Sequence, residues 1–249
     1  MIYIFYQTHL ISLGPKLSYH YRIYMIIIAV LLLFCVLLYS FLSKNLSELF
    51  EQRDFLIVCA KYNKNTDFLN KTTIPSVVIE KHKDVPNKAH EATSYLYYIL
   101  ENYDSLPENL IFIHDENGSW HHEGNITDNL EKWIKEYEKT GGLYYEFNNM
   151  KIEKPRDYHN DAEKELWTNV FESYIGKYDD VKPACGMCCA QFIVSKKQIL
   201  RHPKDFYQKY YDWLIQKTSC EGNGDQHDIY SGYNTSRYAE WSWRFIFSP

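Results

Sequence analysis

The longest uninterrupted hydrophobic stretch of the chain lies near its N-terminus. Between Arg22 and Lys44 the sequence reads IYMIIIAVLLLFCVLLYSFLS, which is 21 residues without a charge. At a rise of about 1.5 Å per residue, a helix of this length matches the hydrocarbon core of a bilayer, which is about 30 Å thick. The pattern predicts an N-terminal tail over residues 1–22, a transmembrane helix over residues 23–43 and a polar stem over residues 44–54.

A cleaved signal peptide is the alternative interpretation of this stretch. The apolar region of a signal peptide usually spans only about 7–15 residues and ends in small residues at the cleavage site. Here the apolar stretch is longer and ends in Ser40-Phe41-Leu42-Ser43, so we expect a single-pass membrane protein. The basic residues on the two sides of the span are nearly balanced, but only the following flank carries acids, which favours a cytoplasmic N-terminus.

Potential glycosylation sites bear on the side of the membrane that the domain occupies. About two Asn-x-Ser/Thr sequons are expected by chance from the composition. The sequence has five, at Asn45, Asn70, Asn117, Asn125 and Asn234. This modest excess favours a lumenal or extracellular domain.

Beyond the stem, short apolar strands alternate with amphipathic helices. The runs Phe55–Ala60 and Leu110–His114 are typical of strands buried on both faces. Between Lys88 and Asn102, apolar residues recur three and four apart, as on one face of a helix. Further strands are predicted at residues 76–80, 142–147 and 191–195, and further helices at 125–139, 162–175, 204–216 and 238–247. The alternation predicts an α/β fold, with a layered, mainly parallel sheet flanked by helices in one domain over residues 55–249.

The charge of this domain argues against nucleic acid as a partner. Residues 1–43 contain two of the 27 basic residues and none of the 32 acidic ones, so the rest of the chain has a net charge of −7. A protein that binds nucleic acid through its phosphates is usually basic. Motifs of serine hydrolases (GxSxG), P-loop ATPases, dinucleotide enzymes (GxGxxG) and zincins (HExxH) are also absent from the sequence.

The loop after the Leu110–His114 strand holds the densest group of potential metal ligands. His114 and Asp115 lie at the carboxyl end of the strand, and His121 follows in the same loop. Imidazole and carboxylate groups bind divalent cations, and ligands of open α/β sheets gather at the carboxyl ends of strands. We therefore predict a metal site formed by these three residues, with an ordinary solvated loop as the alternative.

Two further clusters leave alternatives open. The segment CGMCCAQF over residues 185–192 contains a C-x₂-C pair, which is typical either of a zinc site or of buried thiols. The segment GNGDQHDIYSGYN over residues 222–234 is either a mobile loop that closes on a substrate or a surface loop.

Several separated motifs resemble the family called domain of unknown function 3431. They are NKAHEATSYLYYILENYDSLPENLIFIHDENGSWHH, CCAQFIVSKKQI, DFYQKYYDWLI and AEWSWRFIF, and they occur in the order of that family between residues 55 and 247. The family's motif positions then fall on Asn87, Glu91, His114, Trp120, His121, Cys188, Cys189, Gln191, Glu240 and Trp243. Asp115 and Glu116 depart from the family pattern. The resemblance therefore supports His114 and His121 as site residues more than it supports these two acids.

This resemblance implies a membrane-anchored protein similar to GT-A glycosyltransferases. Such an enzyme transfers a sugar from a nucleotide sugar to a glycan or protein acceptor, with Mn²⁺ or Mg²⁺ neutralising the leaving diphosphate. On this hypothesis Glu91 and Glu240 are the catalytic carboxylates. The substrate-binding residues are Asn87, Trp120, Gln191 and Trp243. A non-catalytic carbohydrate- or protein-binding ectodomain and a metal-dependent hydrolase remain as alternatives.

Overall fold

The computed structural model describes residues 15–53, 55–119, 122–147, 161–178 and 190–249. The chain divides into two units, Met1–Glu51 and Gln52–Pro249. Nearly all of the helix α1 (Pro15–Arg53) belongs to the first unit, and this helix includes residues 44–53 of the predicted stem. Its stretch Ile23–Leu42 has a mean hydropathy of 3.0, and among the described residues α1 is the one helix long and apolar enough to cross a membrane.

The second unit alternates strands and helices. Its strands are β1 (Phe55–Lys61), β2 (Ser76–Glu80), β3 (Asn109–His114), β4 (Tyr144–Glu146) and β5 (Phe192–Ser195). Its helices are α2 (Glu91–Asn102), α3 (Ile126–Lys139), α4 (Asp161–Leu166), α5 (Glu172–Ile175), α6 (Lys196–Ile199), α7 (Lys204–Lys217) and α8 (Gly232–Phe247). A π-helical turn, Trp167–Phe171, joins α4 to α5.

The five described strands form one mixed sheet in the order β2-β1-β3-β5-β4. β1 is parallel to both β2 and β3, with Cys59 opposite Ile113. β5 is antiparallel to both β3 and β4, with Phe192 opposite Phe112. The expectation of a mainly parallel sheet is therefore wrong, because two of the four strand pairings are antiparallel. A fully apolar run does not encode strand direction, because both faces are buried in either orientation.

The sheet separates two hydrophobic cores because successive side chains of a strand point to opposite faces. Phe112 and Phe192 lie in the core that includes side chains of α2, α7 and α8. Ile113 and Ile193 lie in the second core, which includes side chains of α3. Helices thus cover both faces of the sheet.

Phe192 is the centre of an aromatic cluster in the first core. It is fully buried, and the centre of its ring lies 5.2–6.0 Å from the centres of five other aromatic rings. Those rings belong to Tyr95, Phe112, Tyr144, Trp243 and Phe247. The cluster joins two helices, α2 and α8, to three strands, so packing around one side chain connects most layers of the domain.

The last helix starts earlier than the sequence pattern predicts. It begins at Gly232 rather than at residue 238, because the hydroxyl of Ser231 accepts a hydrogen bond from the backbone N–H of Asn234 at 3.3 Å. Serine is a favoured N-cap residue since it satisfies a free N–H of the first turn. Part of the predicted loop over residues 222–234 is therefore helical.

We expect Phe192→Ala to lower the free energy of unfolding by about 3–5 kcal/mol, because it removes a large buried ring and leaves a cavity. Denaturant unfolding of the full chain in detergent micelles checks this. Tyr62→Ala, at a side chain that is half exposed, is the control and should cost less than about 1 kcal/mol. An equal loss in both variants would contradict the central role of Phe192.

Candidate functional site

A cavity of about 420 Å³ opens at the carboxyl ends of β1 and β3. Four parts of the chain line it: residues 60–64 at the end of β1, four residues between positions 81 and 91, residues 114–116 at the end of β3, and residues 222–223 before α8. Its position follows from the strand order. The chain leaves β1 towards β2 at one edge of the sheet, and it leaves β3 towards β4 at the other edge. Ligands of open α/β sheets bind in the crevice that such diverging connections leave.

Asp115 fixes the shape of this cavity. Its Oδ2 atom accepts hydrogen bonds from the backbone N–H groups of Tyr62, Asn63 and Lys64, at 2.8, 3.1 and 2.9 Å. Hydrogen bonds to a charged acceptor are among the stronger ones in proteins. Asp115 is 9% exposed as a residue, and its carboxylate ties the loop after β1 to the end of β3. One oxygen of this predicted metal ligand is thus already engaged by the protein.

Two ion pairs lie along the cavity wall. Lys61 Nζ is 3.1 Å from Glu80 Oε1, and Lys64 Nζ is 3.5 Å from Glu116 Oε1. Both pairs are partly exposed, so each contributes little to stability. They do place two ammonium groups beside the cavity, where an anionic ligand can use them.

Lys81 is a buried cation in the same wall. Only 5% of its surface is exposed, and its ammonium donates hydrogen bonds to the hydroxyl of Thr93 and the carbonyl of Pro86. Burial lowers the pKa of Lys81 to about 7, while the negative charges of Glu91 and Glu221 act in the opposite direction. The charge of this wall therefore changes near neutral pH.

His90, Glu91 and Glu240 converge beside the cavity. One potential ligand atom from each lies within 4.8 Å of the others, and all three side chains are half-buried. Glu91 is the first residue of α2, and Glu240 comes from the middle of α8. His90 has a φ of 44°, a region that non-glycine residues seldom adopt. Tertiary structure thus brings together the two carboxylates predicted to be catalytic.

The other predicted site residues are divided between the cavity and the core. Asn87 and His114 line the cavity, and the carbonyl of Asn87 accepts a hydrogen bond from the N–H of Gly222 at 3.0 Å. Gln191 and Trp243 are each only 1% exposed, and Trp243 belongs to the aromatic cluster around Phe192. The structure places these two in the interior rather than on the cavity wall.

Four motif positions lie outside the described residues. They are Trp120, His121, Cys188 and Cys189. His114 and Asp115 both line the cavity at the end of β3, while the third predicted metal ligand, His121, is among these four.

Sequence reasoning missed two residues of the site, Lys81 and His90. Lys81 directly follows the predicted strand over residues 76–80, so the rule that places ligands at carboxyl ends of strands could have found it. His90 precedes the predicted catalytic Glu91, but its closeness to Glu240 depends on how α2 and α8 pack.

These features define an α/β domain with a polar cavity at the carboxyl ends of parallel strands, in a chain that also has an apolar N-terminal helix. The model of the family "Protein of unknown function (DUF3431)" matches residues 57–249, and the chain belongs to this family. The family predicted from the separated motifs is thereby confirmed. No curated protein and no solved structure gives a significant match.

We expect Asp115→Ala to destabilise the domain by about 2–3 kcal/mol, because three backbone N–H groups lose a charged acceptor. Hydrogen–deuterium exchange of the full chain should show faster exchange at residues 62–64. Glu116→Ala, which removes a neighbouring exposed carboxylate, is the control. Unchanged exchange at residues 62–64 in Asp115→Ala would show that this carboxylate does not hold the loop.

We expect Lys81 to make stability rise with pH above neutrality. Its pKa is about 7 in the fold and 10.5 in the unfolded chain, so between these values the unfolded state binds more protons. The free energy of unfolding therefore gains up to about 1.4 kcal/mol per pH unit from this group. Denaturant unfolding at about pH 7.5 and about pH 9 should show a smaller rise in Lys81→Met than in the wild type. Lys64→Met, at an exposed position, should keep the wild-type rise.

Proposed function

We propose that this protein is a membrane-anchored, GT-A-like glycosyltransferase that transfers a sugar from a nucleotide sugar to a glycan or protein acceptor. The observation that carries the proposal is the polar cavity between the carboxyl ends of β1 and β3, with the carboxylates of Glu91 and Glu240 beside it. Nucleotide ligands bind at this place in open α/β sheets. The apolar stretch of α1 supports the membrane anchor, and the sequons support a lumenal or extracellular domain.

The cations of the cavity wall suit the diphosphate of such a donor. Lys61 and Lys64 line the cavity at the end of β1, and Lys81 lines it just after β2. Ammonium groups stabilise the negative charge that develops on a leaving diphosphate. Because Lys81 is buried, its charge, when the amine is protonated, is less screened by solvent than those of the other two lysines.

The two carboxylates suit the acceptor side of the reaction. In the transfer step, the acceptor oxygen forms a bond to the anomeric carbon, while the bond from that carbon to the diphosphate breaks. The proton of the acceptor hydroxyl passes to Glu91 or Glu240. When bound, a divalent cation such as Mn²⁺ or Mg²⁺ supplies charge neutralisation at the diphosphate.

An exposed aromatic surface beside the cavity suits a sugar or a base. Tyr62 lines the cavity, and half of its surface is exposed. Its ring centre lies 5.9 Å from that of His82. Flat rings of this kind offer stacking area at a small entropic cost.

Thermal unfolding of the full chain in detergent micelles tests donor binding. UDP-, GDP- and CMP-sugars are each added at about 100 times an assumed dissociation constant. One of them should then stabilise the fold by about 2.7 kcal/mol, which raises the melting temperature by roughly 5 °C or more. Absence of stabilisation by every nucleotide sugar, with and without Mn²⁺, would contradict the proposal.

The catalytic role of the carboxylates needs a rate measurement with the stabilising donor. Glu91→Gln and Glu240→Gln should each lower the rate of sugar transfer by roughly 10²–10⁴-fold. Glu101→Gln removes an exposed glutamate at the other end of α2 and should leave the rate unchanged. Metal-dependent cleavage of other substrates without any nucleotide sugar would instead favour the hydrolase alternative.

A further inference from the structure

We infer that His90, Glu91 and Glu240 form a binding site for one divalent first-row transition-metal ion. This site differs from the group His114, Asp115 and His121 that the sequence favours. The inference concerns binding of the ion alone, so it stands whether or not the cavity supports sugar transfer.

The geometry of the three side chains is close to that of a coordination shell. Ligand atoms bound to one ion at about 2.0–2.2 Å lie at most about 4.4 Å from one another. The three ligand atoms here lie within 4.8 Å of one another. Small side-chain rotations therefore suffice to bring all three into contact with one ion.

The chemistry of the donors selects the kind of ion. One imidazole nitrogen and two carboxylate oxygens suit borderline ions such as Mn²⁺ and Zn²⁺. Ca²⁺ and Mg²⁺ prefer shells made of oxygen alone. The histidine thus favours a transition metal over the alkaline-earth ions.

The surroundings make the site selective for a cation and accessible to a ligand. All three side chains are half-buried, so water competes less with their charges than at an open surface. His90 and Glu91 also line the 420 Å³ cavity. Three protein ligands leave coordination positions open, as in catalytic metal sites, and a molecule in the cavity can occupy them.

Glu240 lies far along the chain from the adjacent pair His90 and Glu91, which indicates a built site. Glu91 lies at the start of α2, and Glu240 lies in α8 between the buried residues Ala239 and Trp241. The two carboxylates therefore belong to helices that pack in the same hydrophobic core. A carboxylate that binds an ion through one oxygen retains the second oxygen as a proton acceptor, so ion binding is compatible with the role proposed for these residues in transfer.

Isothermal titration of the full chain in detergent micelles, after removal of metal with EDTA, tests the inference. Mn²⁺ or Zn²⁺ should bind with a stoichiometry of one, and at least 10-fold more tightly than Ca²⁺ or Mg²⁺. Glu240→Gln and His90→Gln should each weaken binding at least 10-fold. Glu101→Gln and His227→Gln, which make the same changes at exposed positions, should bind as the wild type does.

Control measurements separate loss of metal binding from loss of folding. Thermal unfolding in EDTA shows whether each variant is folded, and two separate ligand variants protect against failure of one of them to fold. Binding that survives in both Glu240→Gln and His90→Gln would place the ion elsewhere and overturn the inference. Absence of binding in the wild type would overturn it as well, as would equal affinity for Ca²⁺. Nucleotide-sugar stabilisation is measured separately in EDTA, so failure of the metal site is distinguishable from failure of the sugar-transfer proposal.

Discussion

The parallel pairing of β1 with β3 is the constraint on which the rest of the domain depends. These strands lie side by side at the middle of the sheet, and their residues are buried on both faces. Their carboxyl ends meet at the same edge, whereas the connections that follow diverge to opposite sides of the sheet. The cavity lies at this divergence, and the residues that follow β1 and β3 form part of its wall.

Acidic residues at this edge have two distinct structural uses. Asp115 directs its carboxylate towards the backbone of the loop after β1, where three N–H groups satisfy it. Glu91 and Glu240 are instead held by separate helices and meet near His90. Adjacent N–H groups favour a carboxylate as a fixed element of the fold, while converging carboxylates attract a cation. All three side chains are carboxylates, so their neighbouring groups, rather than their own chemistry, determine which of these two uses each one has.

Much of the fold was predictable from local patterns. The apolar runs that became β1 and β3 are strand-like because burial on both faces requires continuous hydrophobicity. The site was predictable in part: motif resemblance pointed to Glu91 and Glu240, and strand ends pointed to His114 and Asp115. Their relative positions were not predictable, because Glu91 and Glu240 are separated by most of the domain sequence and meet only when α2 and α8 pack on the same face of the sheet.

The sequence by itself determined the apolar N-terminal helix, the alternation of strands and helices, and membership of the family, because each of these depends on local hydrophobic patterns or short motifs. Tertiary structure alone decided the antiparallel direction of β5, the interior position of Trp243 and the role of Asp115 as an acceptor for a distant loop. Those features depend on contacts between residues far apart in the chain. Hydrophobic periodicity reports which side of an element is buried, but it does not report what that side is buried against.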